Sequence, residues 1–280
     1  MAKMPKVPVL SKFEHRQFTQ RFLKKRRPVV YAGYAKRWPA LRSFSPAALA
    51  ERFGARKIPV SLGRGAPAPV ALNQFIATVL SAKPGQKVPY LRNVFLNQHL
   101  PELLDAVRWP KLATPNWLRH ELLSSYLSES NAEKWFELFI SAPTTSFPAV
   151  HVDEFHTHAW LLQLHGEKTV WVWPDEAADP AKGNRQLKDG ENIEHAFHGH
   201  APAKLTLRAG DLLFIPFDTW HAAESATVSV TLSGNWVERT NWSAFFSTYF
   251  EKMLVDEASR DALIARSIDH YVRRSHRARR

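Results

Sequence analysis

The chain has 280 residues, 45% of them hydrophobic and 12% aromatic, which is ample for one or two buried cores. It contains no cysteine, which excludes disulfides, thiolate metal sites and cysteine nucleophiles. Its net charge of +12 sits at the ends: residues 1–27 carry nine Lys/Arg against one Glu, residues 260–280 carry seven Arg against two Asp, and the body is nearly neutral.

The opening stretch, MAKMPKVPVLSKFEH, has no apolar run long enough for a signal peptide. No run anywhere approaches the ~18 residues that a membrane helix needs. A cytoplasmic location is expected. PVVYAG (Pro28 to Gly33), KIPVSLG (Lys57 to Gly63) and PYLRNV (Pro89 to Val94) read as short strands in an otherwise mainly helical first half. SPAALAERFG (Ser45 to Gly54) predicts a helix, with Ser at the N-cap, Pro at the first helical position and Gly just past the end. Leu72 to Ala82 and Asn116 to Ser128 place apolar residues at helical spacing.

From about Trp135 the rhythm changes. WFELFISA, HAWLLQL, KTVWVWP, AKLTLRAGDLLFIP and TVSVTLSGNWV are short, β-branched or aromatic, and separated by turn residues. Evenly spaced strands of this kind predict a small β-barrel or sandwich. After Asn241 the pattern is helical again, ending in the basic RRSHRARR. The division expected is 1–134, mainly helical with some strands, packing on the core; 135–240, the β core; and 241–280, C-terminal helices and a basic tail.

The stretch HVDEFHTHAWLLQLHGEKTVWVWP, from His151 to Pro174, holds four of the chain's 13 histidines. In a strand, alternate side chains share a face, so His151 and Asp153 can reach one point. His156 and His158 form a competing pair in a stretch that reads as loop. A third ligand candidate, His221, stands in AGDLLFIPFDTWHAAES (Ala209 to Ser225): a Gly-Asp turn starts a strand, Pro216 ends it, and the histidine follows five residues later. Two histidines and one carboxylate make a facial set that leaves coordination positions open and suits non-haem Fe(II). Lys168 opens KTVWVWP and alternates onto the face of Val170 and Val172, the expected interior. A buried lysine needs an anion to offset its desolvation; the other reading is a strand-end lysine reaching solvent.

The segment Trp135 to Trp236 resembles the JmjC (Jumonji-C) cupin-like oxygenases, which use Fe(II), 2-oxoglutarate and O₂. The resemblance rests on His151-x-Asp153, on Thr157, Ala159 and Trp160, on Gly166-x-Lys168, and on Gly210, Pro216 and His221 in step with the second cupin motif. RRPVVYAGYAKRWPAL and PYLRNVFLNQHLPELL extend it upstream. It implies an α+β fold with a mainly β core, a double-stranded β-helix (cupin or jelly-roll barrel). It also implies iron at His151, Asp153 and His221, and the 5-carboxylate of 2-oxoglutarate at Lys168. Ser233, Asn235 and Tyr90 match cosubstrate-pocket positions. Four positions depart from the family pattern: Asp218 replaces a usual glycine, Ser225 a frequent Asn, Pro148 a frequent hydroxyl residue, and Leu161 a frequent Asn.

The implied function is a hydroxylase, or a demethylase acting through hydroxylation, on a protein, peptide or RNA-associated substrate. Two other readings stay open: a cupin metalloenzyme that does not use 2-oxoglutarate, with His156 or His158 extending the ligand set, and a non-catalytic JmjC module binding nucleic acid or protein. The basic ends favour an acidic partner such as RNA or a ribosome, or are solvated tails. Relatives dimerise through C-terminal helices, so Asn241 onwards predicts either a homodimer contact or packing on its own domain. His165 reads as an exposed turn residue. His195, His198 and His200, in EHAFHGH, read as a solvent loop rather than a second metal site.

Overall fold

The computed structural model describes residues 2–3, 6–60, 67–83, 86, 88–119, 136–147, 149–173, 177, 184–187, 191–253, 261 and 265. Most of the helix expected over Asn116 to Ser128, the 61–63 end of the second predicted strand, Pro148 and the basic 266–280 tail lie outside them.

A seven-stranded sheet forms the body. Its strands lie in the order β2 (Val9–Leu10), β3 (Val29–Tyr31), β14 (Leu212–Ile215), β9 (His158–His165), β16 (Ser229–Trp236), β7 (Glu137–Ser141) and β6 (Leu91–Phe95). All neighbours are antiparallel except β2 and β3. A three-stranded antiparallel sheet runs β13 (Ala203–Arg208), β10 (Glu167–Val172) and β15 (His221–Ser225). Three two-stranded pairs complete the set: β1 (Ala2–Lys3) with β12 (His200–Ala201), β4 (Lys57–Val60) with β5 (Ala68–Ala71), and β8 (Ala149–Val150) with β11 (Arg185–Gln186).

Alternation along β9 shows how the layers stack. Trp160, Leu162 and Leu164 join one apolar cluster with Phe18, Tyr31, Leu49 and Phe75, so the N-terminal part covers this face. Ala159 and Leu161 point the other way, into a second cluster with Val170, Val172, Leu213 and Ile215. That cluster draws from both sheets, so the sheets face each other across it. The outer face of the small sheet buries Trp171, Trp173 and Trp220 against Ile193 and Ala196. Each fully buried large apolar side chain contributes about 1.5–3 kcal/mol, so these three layers outweigh any local propensity.

The helix Pro46–Phe53 forms as predicted: Ser45 Oγ accepts from the Ala48 N–H at 3.2 Å, Pro46 opens the first turn, and Leu49 and Phe53 are buried. The helix Leu72–Ser81 also appears. The strands expected over 28–33 and 89–94 form as β3 and β6, and a short β2 joins them. All three enter the main sheet, because those short apolar stretches bury more surface on the sheet than in solvent-facing turns. The helix Trp242–Met253 packs Phe245 and Tyr249 against Leu118 and Val237 of its own chain. None of the described helices is long and apolar enough to cross a membrane.

The chain passes between the two sheets at two corners of positive φ. Gly166 (φ 70°) joins β9 to β10, and Asp218 (φ 57°) lies between β14 and β15. A Cβ at Gly166 would collide with the Val228 carbonyl. The second corner carries Asp where a glycine would be unstrained, and a non-glycine residue held there costs about 1–3 kcal/mol unless its surroundings fix it; Asp is among the side chains that tolerate it best.

Candidate functional site

His151, Asp153 and His221 come together, with one ligand atom from each lying within 4.8 Å of the others. They form the one group of three or more potential metal-ligating side chains among the described residues. His151 sits one residue beyond β8 and His221 opens β15. Their backbones form an isolated antiparallel bridge, with N–H···O distances of 3.0 and 2.9 Å. The ring centroids are 4.2 Å apart. Nδ1 of His221 lies 2.9 Å from the Thr219 carbonyl and Nδ1 of His151 lies 3.3 Å from the Ala149 carbonyl. A carbonyl can only accept, so each Nδ1 carries the hydrogen and each Nε2 keeps its lone pair. Carbonyl partners of this kind orient histidines at metal centres.

Burial and the neighbouring His221 hold the His151 imidazole well below its usual pKa, so it is neutral. Burial pushes the Asp153 carboxyl up, while His221 and the amide of Asn235 pull it back. Two imidazoles and a carboxylate fit Fe(II) with coordination positions to spare.

The three line a cavity of about 570 Å³ between the sheets, together with Lys168, Tyr90, Ser233 and Asn235. All seven candidate site residues therefore face one space. Lys168 is 1% exposed, among the least accessible charged groups in the fold. Its Nζ donates to Tyr90 Oη at 2.9 Å, and no carboxylate pairs with it among the described residues. Burial lowers its pKa from 10.5 to about 7. It is an interior lysine with no anion beside it among the described residues, and not a lysine reaching solvent. Ser233 Oγ donates to the Trp160 carbonyl at 3.1 Å, so it must turn to meet a cavity anion. Asn235 donates to Thr157 Oγ1 at 2.9 Å, and its amide helps hold the Asp153 pKa down. Leu161 lines the same space, and Ser225 bonds Ser141 at 2.5 Å, away from the triad.

Glu137 and Arg92 also line the cavity and were not singled out from the sequence. Glu137 accepts from the Asn93 N–H at 2.5 Å, and burial, with Asp153 nearby, raises its pKa to about 7. The one signal for it was a lone acid in the apolar WFELFISA.

The remaining histidines fall elsewhere. His158 is no loop residue: it opens β9, is fully buried, and binds the Phe217 N–H through Nδ1 at 3.2 Å. His156 pairs with Asp218 at 2.7 Å. His165 ends β9 half-buried instead of standing exposed, because the strand carries it into the sheet. His195 and His198 are exposed and His200 opens β12; they border a separate open cavity of about 690 Å³ and do not converge.

A cavity between two β-sheets, with a His-Asp-His cluster that can hold a metal and a buried lysine across from it, defines a β-rich protein with a candidate metal centre. Residues 107–243 match the JmjC domain family. It is 21% identical over 234 residues to the lysine-specific demethylase JMJ21 of Arabidopsis thaliana, covering 78% of this chain and 24% of that protein. It is 22% identical over 239 residues to the arginine-specific demethylase JMJ22 of the same plant, covering 80% and 44%. The 2-oxoglutarate and iron-dependent oxygenase JMJD4 of Gallus gallus is 22% identical over 162 residues, covering 54% and 36%. The chain thus spans less than half the length of each of these relatives.

Proposed function

We propose that this chain is an Fe(II)- and 2-oxoglutarate-dependent oxygenase built on a double-stranded β-helix. His151, Asp153 and His221 would hold the iron, and Lys168 with Tyr90 would receive the far carboxylate of the cosubstrate. The observation that carries this reading is the pairing, in one cavity, of a His-Asp-His cluster with a buried lysine that meets no anion among the described residues. When bound, the metal and cosubstrate supply an oxidant able to insert oxygen into an unactivated C–H bond, with 2-oxoglutarate decarboxylated to succinate and CO₂.

The chain's own groups do the positioning. The His151–His221 bridge sets the spacing of two ligands. Asn235 turns the Asp153 carboxylate towards them. Lys168 fixes the cosubstrate's orientation by a charge-assisted hydrogen bond. Leu161, Ala159 and Phe139 exclude water from the space between.

The substrate is a protein, a peptide or an RNA-associated molecule. The relatives' names as lysine- and arginine-specific demethylases support a protein substrate. Hydroxylation of a carbon and loss of an N-methyl group start with the same oxygen insertion. The net charge of +12 supports an acidic partner.

Succinate formation from 2-oxoglutarate, in the presence of Fe(II) and O₂, tests the reading. It should occur in the native chain and vanish in His151→Ala and Asp153→Ala. Full turnover in either variant contradicts the assignment.

A further inference from the structure

The backbone bridge between His151 and His221 fixes two members of the cluster to each other, but Asp153 has no ladder partner among the described residues. It lies in the irregular stretch between β8 and β9. What sets its place against the histidine pair must come from side chains. Asn235 lines the same cavity and helps hold the Asp153 pKa down.

A side-chain tie spans two loops. His156 is three residues after Asp153, and Asp218 is three residues before His221. Their side chains meet at 2.7 Å between Nδ1 and Oδ1, 31% and 18% exposed. Both partners sit at positive φ, His156 at 51° and Asp218 at 57°, and so does Phe155 at 56°. Such conformations persist where the surroundings over-determine them, and here they do. Asn241 Nδ2 donates to the His156 carbonyl at 2.9 Å, and its Oδ1 accepts from the Glu238 N–H at 2.8 Å. On the other side, the Phe217 N–H donates to buried His158, and the Phe217 carbonyl accepts from Arg26 at 3.2 Å. His158 Nε2 is itself 3.2 Å from Thr240 Oγ1. The corner and the Asp153 loop are thus each pinned, and His156–Asp218 is a direct side-chain contact between them.

We propose that His156 and Asp218 are positioning residues of the metal centre. Their contact ties the Asp153 loop to the His221 corner, and so sets the affinity and the geometry with which the cluster holds a divalent cation. This rests on reading the cluster as a metal centre. It also accounts for Asp218 standing where the motif usually has glycine: Asp tolerates the corner's φ and adds a carboxylate that glycine lacks.

The test is calorimetric titration of Mn(II) into the full chain, with the d–d absorption of the Co(II) form as a readout of ligand geometry. The proteins are wild type, His156→Ala, Asp218→Gly, Asp218→Asn and the His156→Ala/Asp218→Gly pair. Gly suits the corner's φ, so Asp218→Gly removes the contact without straining the backbone. Asn keeps both the φ tolerance and an acceptor for Nδ1–H. His156→Ala and Asp218→Gly should each weaken Mn(II) binding about 10–100-fold and alter the Co(II) spectrum, as loss of an outer partner does. The double variant should be no weaker than either single one, and Asp218→Asn should stay within about threefold of wild type, on the same principle. Wild-type affinity and spectra in both single variants would overturn the proposal. So would a loss in Asp218→Asn as deep as in Asp218→Gly. Failure of the wild type to bind Mn(II) would overturn the metal-centre reading beneath it, which is a different result.

Discussion

His151 and His221 exchange both of their backbone hydrogen bonds, at 3.0 and 2.9 Å, although they come from segments far apart in the chain. The separation of these two candidate ligand side chains is therefore set by a backbone bridge and not by loop conformation. Loss of a ligand should remove metal binding while the bridge, which uses no side-chain atoms, survives.

Replacing His151, Asp153 or His221 by Ala should thus weaken Mn(II) binding by more than the ~10–100-fold typical of an outer partner. Far-UV circular dichroism should stay unchanged. Titration of each purified variant checks this; native affinity in any of them counts against its role.

Lys168 has a pKa depressed in the folded chain, from 10.5 to about 7. Its stability contribution is therefore present above pH 10.5 and is lost as pH falls through about 7. Lys168→Met should raise the melting temperature of the metal-free protein most below pH 7, with the gain shrinking towards alkaline pH. A bound carboxylate favours the charged lysine, so cosubstrate binding above pH 7 takes up a proton. Affinity should fall with rising pH, by at most about tenfold per unit, and Lys168→Arg, permanently charged, should lose that dependence. Calorimetry in buffers of different ionisation heat reads the proton directly.

Glu137 shows the opposite linkage. Its pKa is raised from 4.5 to about 7, chiefly by burial, so its contribution is present below pH 4.5 and lost as pH rises through about 7. The melting-temperature gain of Glu137→Gln over wild type should grow between pH 4.5 and 7 and then level off. A gain that is flat with pH would show that the carboxyl is not perturbed.

Gly166 turns the chain from one sheet to the other at φ 70°, with the Val228 carbonyl where a Cβ would go. Gly166→Ala should destabilise the fold by at least about 1–3 kcal/mol, a fall of several degrees in melting temperature. Gly199→Ala, also at positive φ (82°) but with nothing within 4 Å, should cost less. Equal losses in the two would show that the carbonyl contact adds nothing.

The triad and Lys168 were legible because their signals are local. His151-x-Asp153 alternates on one extended segment, Gly210-Asp211 and Pro216 bracket the strand before His221, and Val170 and Val172 mark the face that Lys168 shares. Glu137 was not legible, since its place beside Asp153 depends on β6, β7 and β16 being neighbours, which no local pattern encodes. His158 was misread as loop because a polar residue opening a strand looks like its preceding turn. Its burial follows from Trp236 and Phe214 packing around the ring. The N-terminal β2 is two residues long, too short for periodicity to show.

On the proposed function, one cavity takes a metal at His151, Asp153 and His221 and a 2-oxoglutarate carboxylate at Lys168. Thermal unfolding with Mn(II), with and without 2-oxoglutarate, in wild type and Lys168→Ala, tests it most directly. Cosubstrate at about a hundred times its dissociation constant should stabilise the wild type by roughly 2.7 kcal/mol, only when metal is present. In Lys168→Ala the metal shift should remain and the cosubstrate shift should vanish. A wild type that binds metal but shows no cosubstrate shift, or a Lys168→Ala variant that keeps it, would contradict the account.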